Sequence, residues 1–419
     1  MKQKILLILL VAFSTQLFSQ CATSDSTNMG PGYVNDVFYS FQNGTVKTVS
    51  NSNWHMAFSV QGSKFPSHPE TGVSIRVNSV KGNVLVKLNG ANAANWRAID
   101  TTGLYTLPER LDSFKTWDFG AFNKGYNYTK APFNFIWGAY NSTTKNVDGN
   151  NVFVLYNKTA GVYKKVFIKS LGFDTLWNVI ISNIDNSDST NLIFSKGSFS
   201  NRLFVYYDAV NKQLNDREPA RNTWDLVWTR YKDVVTQFNV TGAYPLTGIL
   251  ANKSDTIAKN MGKKCNEVWL TSATAPFLQN TNNIGWDWKI PPQGPGAFLM
   301  VDTFVFFVKN SPTKYYKLSF NKFGGSATGK TYFSVNQVSS SINKIDLNTT
   351  SIYPNPTSGL LKINSEENIL NVELIDVTGS KSNLIMNNNT IDISNLSSGI
   401  YMLNIQTKSG IYSHKLVKA

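Results

Sequence analysis

The sequence predicts an all-β protein. Three observations carry this. Apolar residues recur with a period of two, as in Trp54, Met56, Phe58 and in Trp224, Leu226, Trp228, and no stretch sustains a 3.6-residue period. Aromatics make up 13% of the 419 residues, including 10 Trp, 18 Tyr and 26 Phe, the types that pleated sheets favour. Charged residues are 16%, below the usual share of about a quarter. Such a composition excludes disorder and long helical bundles. Two Cys exclude a disulfide scaffold, and three His leave little for a multi-histidine centre.

Residues 1–20 read as an export signal peptide. Lys2 and Lys4 precede an apolar run from Ile5 to Phe13, too short to cross a bilayer, and small and polar residues follow. No later segment is long and apolar enough for a transmembrane helix, so the chain is expected outside the cell. Cys21 comes next, where a lipoprotein signal would place its lipidated residue. An exported chain can also pair it with Cys265, and an inert buried Cys265 is equally compatible.

The region from 33 to 340 contains an internal echo. Asp36-Val37-Phe38-Tyr39-Ser40-Phe41 followed by Trp54-His55-Met56-Ala57-Phe58 matches Arg202 to Asp208 followed by Trp224-Asp225-Leu226-Val227-Trp228. Val152 to Asn157 followed by Tyr163 to Lys169 matches Val305 to Asn310 followed by Tyr316 to Lys322. We therefore expect two related modules, 33–190 and 195–340, each opening with one hairpin and closing with another. Residues 285–296, with three prolines, read as a loop or edge.

From about Thr349 aromatics thin out and short strands alternate with turn signals, which predicts a small antiparallel β-sandwich over 349–419. Residues from 346 on carry five basic and six acidic side chains, so the positive excess behind the net charge of +14 sits wholly upstream. That excess favours anionic partners, and its scattered placement argues against a dedicated nucleic-acid site.

The final segment closely resembles the type A sorting domain of the type IX secretion system. The opening Tyr353-Pro354-Asn355-Pro356, the turn Asp376-Val377-Thr378-Gly379, the core Asp392-Ile393-Ser394-Asn395-Leu396-Ser397-Ser398-Gly399-Ile400-Tyr401 and the basic end Lys415-Leu416-Val417-Lys418 carry the likeness. It implies export by the type IX machinery, removal of the domain, and attachment to surface lipopolysaccharide or release. The middle resembles the HmuY family of secreted haem-binding β proteins of Bacteroidetes. The second module is the clearer copy, through Trp224 to Tyr231, Gly285-Trp286 and Val305 to Phe320. That resemblance implies two tandem HmuY-like antiparallel modules and a haem or related tetrapyrrole held by His or Met.

Candidate iron ligands are then His68, in the Pro-framed segment Phe65-Pro66-Ser67-His68-Pro69, and Met300, just before the Val305 strand. Trp286 and Trp288 are candidates for stacking on a sugar, in an alternative reading as an adhesion or glycan-binding protein without haem. Nothing reads as catalytic. No nucleophile elbow or His-Glu-x-x-His motif is present, and Glu109 and Asp112 read as solvated charge rather than a glycosidase pair.

Overall fold

The computed structural model describes residues 21, 24–62, 67–125, 133–237, 239–270, 275–292, 294, 296–338, 350–407 and 411–419. The segment read as a signal peptide, 1–20, lies outside them. The described chain is nearly all strand, and among these residues no helical segment exceeds four residues. It forms two compact units that meet at 337/338.

The smaller unit has the expected sandwich form. One sheet orders Thr350–Tyr353, Leu360–Ser365 and Thr390–Asp392; the other orders Lys381–Asn383, Ile369–Ile375, Gly399–Thr407 and Ile411–Lys418. Alternation drives it. Leu361 and Ile363 point inward while Leu360 and Lys362 face water, and Leu403 and Ile405 meet them from the second sheet.

The larger unit has two lobes, each with its own core and two main sheets, and lobe 2 adds a two-stranded sheet, Lys289–Ile290 with Leu299–Met300. The lobe 1 core contains Met56, Phe58, Ile75, Phe153, Val166, Trp177, Phe194, Val205 and Tyr207. The lobe 2 core contains Val37, Tyr39, Leu226, Trp228, Ile249, Phe306, Leu318 and Phe333. Both closing hairpins form as expected, Val152–Asn157 with Val162–Gly172 and Val305–Lys309 with Tyr315–Phe323, but the register moves the sequence match by one residue: Tyr163 stands opposite Tyr156, and it is Tyr315, not Tyr316, that stands opposite Lys309.

The opening hairpins require a correction. The aromatic strand of each half does not pair with the Trp-led strand of its own half. Asn35–Ser40 pairs with Leu226–Gln237, and Phe204–Asp208 pairs with Met56–Ser59. The strand before each follows it: Ser24–Asn28 completes a lobe 2 sheet against Lys330–Val338, and Thr190–Ser195 completes a lobe 1 sheet against Leu176–Asn183. Gly44–Ser50 and Gln213–Asn215 extend the same exchange, so the halves have exchanged their first three strands, and a division at 190/195 does not separate two self-contained modules. The echo itself is real. Tyr39 stands opposite Leu226 and Phe38 opposite Val227, just as Tyr207 stands opposite Met56 and Tyr206 opposite Ala57. Trp224 meets Phe38 edge-on at 5.1 Å and Trp54 meets Tyr206 edge-on at 5.0 Å. Asn78 Nδ2 donates to the carbonyls of Asn51 and Trp54, and Asn252 Nδ2 donates to those of Arg221 and Trp224.

The period of two does not reach the leading tryptophans. Both precede their strands by two residues. There the chain turns them away from the lobe cores and into a third cluster, with Phe38, Ala57, Tyr206 and Val227, that joins the lobes. Cys21 is disulfide-bonded to Cys265. The bond ties the start of the exchanged arm to the lobe that receives it. With its Sγ so engaged, Cys21 is not free for thioether lipidation.

Candidate functional site

The residues that the sequence singled out are spread over both lobes. His68 lies on a lobe 1 loop, its side chain 63% exposed and its Nδ1 3.2 Å from Glu70 Oε1. Met300 pairs with Lys289 in a two-residue edge strand and packs half-buried against the lobe 2 core. Neither lines the groove beside Tyr105 or the cavity between the lobes, both described below. Trp286 is half-buried against the cluster between the lobes. Trp288 is a correction. It is 1% exposed, stacks on Phe320 at 4.1 Å and donates its indole N–H to the Gly285 carbonyl, so it is core and not an open sugar platform. The Leu-Pro-Glu-Arg-Leu-Asp turn holds a second correction. Glu109 pairs with Lys232 at 2.6 Å, but Asp112 is buried rather than solvated, accepting from the Ala121 and Val77 amides beside Arg76. Burial pushes its carboxyl above the usual range against the pull of Arg76.

The structure brings another set together on the outer face of lobe 1. Tyr156 and Tyr163 face each other across the closing hairpin and stack at 6.1 Å. The short turn Leu104–Thr106, entered through Gly103 at φ 71°, carries Tyr105 over them. Leu104 is buried and anchors the turn, while Tyr105 stays 54% exposed. Its hydroxyl lies 3.1 Å from that of Tyr163, and its ring meets Tyr156 edge-on at 5.4 Å. Lys158 Nζ stands 3.6 Å from the Tyr105 ring centre. The hydrogen bond to Tyr105 is the main cause that raises the Tyr163 phenol above its ordinary range. The Tyr163 phenol therefore stays neutral at physiological pH, with a hydroxyl able to give and take hydrogen bonds.

Beside this shelf runs a groove of about 350 Å³ lined by Thr101, Leu104, Tyr105, Thr106, Tyr163 and Ile184. Trp96 continues the aromatic surface, stacked on Phe167, with the Arg97 guanidinium 4.6 Å above its ring. Lys165 ties this loop down by donating to the Arg97 carbonyl and to Asn186 Oδ1. Flat rings, hydroxyls and nearby cations in an open groove suit a ligand with alternating C–H faces and hydroxyl edges. Sequence reasoning passed over Tyr105. Its one signal was a tyrosine two residues after Gly103, and whether such a residue is exposed depends on what packs beneath the turn.

Comparison with known proteins adds one result. The family model of the secretion system C-terminal sorting domain matches residues 351–419. No curated protein and no solved structure matches the chain. The HmuY likeness therefore rests on the quoted strands alone. If the matched segment is the export address, deleting residues from 349 onward leaves the protein in the periplasm; surface display unchanged by the deletion, read by protease shaving of whole cells, would refute this. Residues 351–419 are a type IX secretion C-terminal sorting domain, and the protein that carries them is secreted, to the cell surface or beyond.

Proposed function

We propose that the protein is a surface binding protein for a polysaccharide with anionic groups, acting by binding and not by catalysis. The observation that carries this reading is the exposed Tyr105–Tyr163 shelf beside a groove edged with hydroxyls. The excess of basic residues upstream of the sorting domain supports an acidic partner, and surface lipopolysaccharide has that chemistry. Lys158 and Arg97 put positive charge next to the rings where such a ligand would lie.

The test is affinity electrophoresis of the secreted protein through gels that contain bacterial lipopolysaccharide or acidic polysaccharides, compared with neutral glucans. Retardation by the acidic gels is expected. Truncating both Tyr105 and Tyr163 to Ala should weaken binding at least tenfold, since two stacking rings and two hydroxyls are removed, while the exposed position of Tyr105 spares the core. Raising salt from 50 to 500 mM should weaken it further, because the cations are open to screening. Unchanged mobility of the double variant would sink the shelf as the site. Titrating the same protein with haemin tests the reading that the HmuY resemblance implies. A Soret shift lost in His68→Ala and Met300→Ala would favour that reading over the glycan.

A further inference from the structure

Where the two lobes meet, a partly open cavity of about 60 Å³ lies between the exchanged sheets. Its walls are repeat-equivalent pairs: Phe38 with Tyr206, Trp54 with Trp224, Ala57 with Val227. Charged residues border it, and the three carboxylates are matched within the protein. Asp36 takes the Arg217 guanidinium and the Thr229 hydroxyl, both at 2.8 Å. Asp112 takes the amides of Val77 and Ala121 beside Arg76. Glu218 takes the Leu203 and Phe204 amides and the Tyr206 hydroxyl.

What is left unmatched there consists of donors. The indole N–H groups of Trp54 and Trp224 are buried and have no acceptor among the described residues, and Trp224 is only 3% exposed. Arg230 Nε and the Tyr231 hydroxyl, on the same lining, also lack a partner among the described residues. An indole N–H can only donate, so no rearrangement of the ring makes it content without an acceptor. Two such donors come from residues that the repeat places in equivalent settings. The complement of a symmetric pair of donors is a pair of equivalent acceptor oxygens on one group.

We propose that this cavity receives a single carboxylate of a small organic acid or acidic sugar, its two oxygens accepting from the Trp54 and Trp224 indoles. The volume decides the size. It is about that of two waters, which suits a carboxylate, and the rest of the ligand leaves by the open side. Arg230 adds positive charge on that lining, and Lys81 lies close enough to Arg230 to feel its field. This site stands apart from the Tyr105 shelf and does not depend on the polysaccharide reading.

The experiment uses the full secreted protein with acetate as the probe, ionic strength held constant with chloride. In spectra with ¹⁵N-labelled tryptophan, two indole N–H signals should move together and saturate as acetate rises to 50 mM. Trp54→Phe and Trp224→Phe, which keep an aromatic ring and remove one donor, should each lose one of these signals and weaken acetate at least tenfold. Because the unmutated spectrum is itself a readout, a variant that fails to fold does not rescue the idea. No movement of any indole signal would overturn it. So would a crystal soaked in acetate in which the cavity still holds only two waters.

Discussion

Cutting the chain between Asn183 and Thr190 should leave two fragments that do not fold separately and do fold together. Each fragment keeps the body of one lobe and donates its first three strands to the other. The lobe 1 body alone loses Leu192, Phe194, Val205 and Tyr207 from its core and exposes the edge of Leu176–Asn183. Four such side chains are worth roughly 6–12 kcal/mol of burial at about 1.5–3 kcal/mol each, which equals the whole stability of a typical domain. The lobe 2 body alone loses Met29, Val37 and Tyr39. Expressed singly, residues 21–186 and 187–338 are expected to aggregate or bind a hydrophobic dye without a cooperative melt. Co-expressed with an export signal, they should co-purify. The Cys21–Cys265 bond then joins fragment to fragment, giving one band on a non-reducing gel and two after reduction. A cooperative melt from either fragment alone would show that the exchange is dispensable.

The second large effect is expected at Asp255 in lobe 2. Its carboxyl is pushed up to about 8, first by burial and then by the nearby Asp225 charge, with only the Ser254 hydroxyl pulling the other way. One oxygen, Oδ2, is buried without a partner among the described residues. The equivalent strand position in lobe 1 is held by Asn83, whose Nδ2 donates to the Asn78 carbonyl. A neutral Asp255 supplies a donor where lobe 1 has an amide; a charged one supplies none. The folded-state pKa lies above the unfolded value, so this group favours folding fully below about pH 4 and withdraws that support as pH rises through about 8. Asp255→Asn should therefore raise stability at pH 8 by several kcal/mol, on the order of 3–5, and raise the melting point by at least 5 °C. The gain should shrink towards pH 4. Buried Lys289 in the same lobe titrates the other way, pushed down to about 7 by burial, so the comparison must be variant against wild type at each pH, by calorimetry. An equal melting point of the two proteins at pH 8 would show that Asp255 is not held neutral.

Much of this protein follows from the order of its residues. Strand identity does, because a period of two and β-branched or aromatic residues leave little else for a segment such as Val305–Lys309 to become. The sorting domain does as well, since its turns and prolines are local signals at set spacings. The repeat was also legible, because equivalent positions in the two lobes face the same packing problem and keep similar residues. What the sequence could not decide was which strand pairs with which. Every strand edge offers the same N–H and C=O groups, so the aromatic strand at Asn35–Ser40 is chemically able to pair with either Trp-led strand. Only the tertiary structure selects Leu226–Gln237, nearly two hundred residues away. The same distinction governs the sites. Trp288 was legible as an aromatic in a loop, yet whether it faces water depended on Phe320 lying across it. Tyr105 and the two unmatched indoles acquire their significance only when strands far apart in the chain are brought side by side, because exposure and unmet hydrogen bonds are properties of neighbours and not of residues.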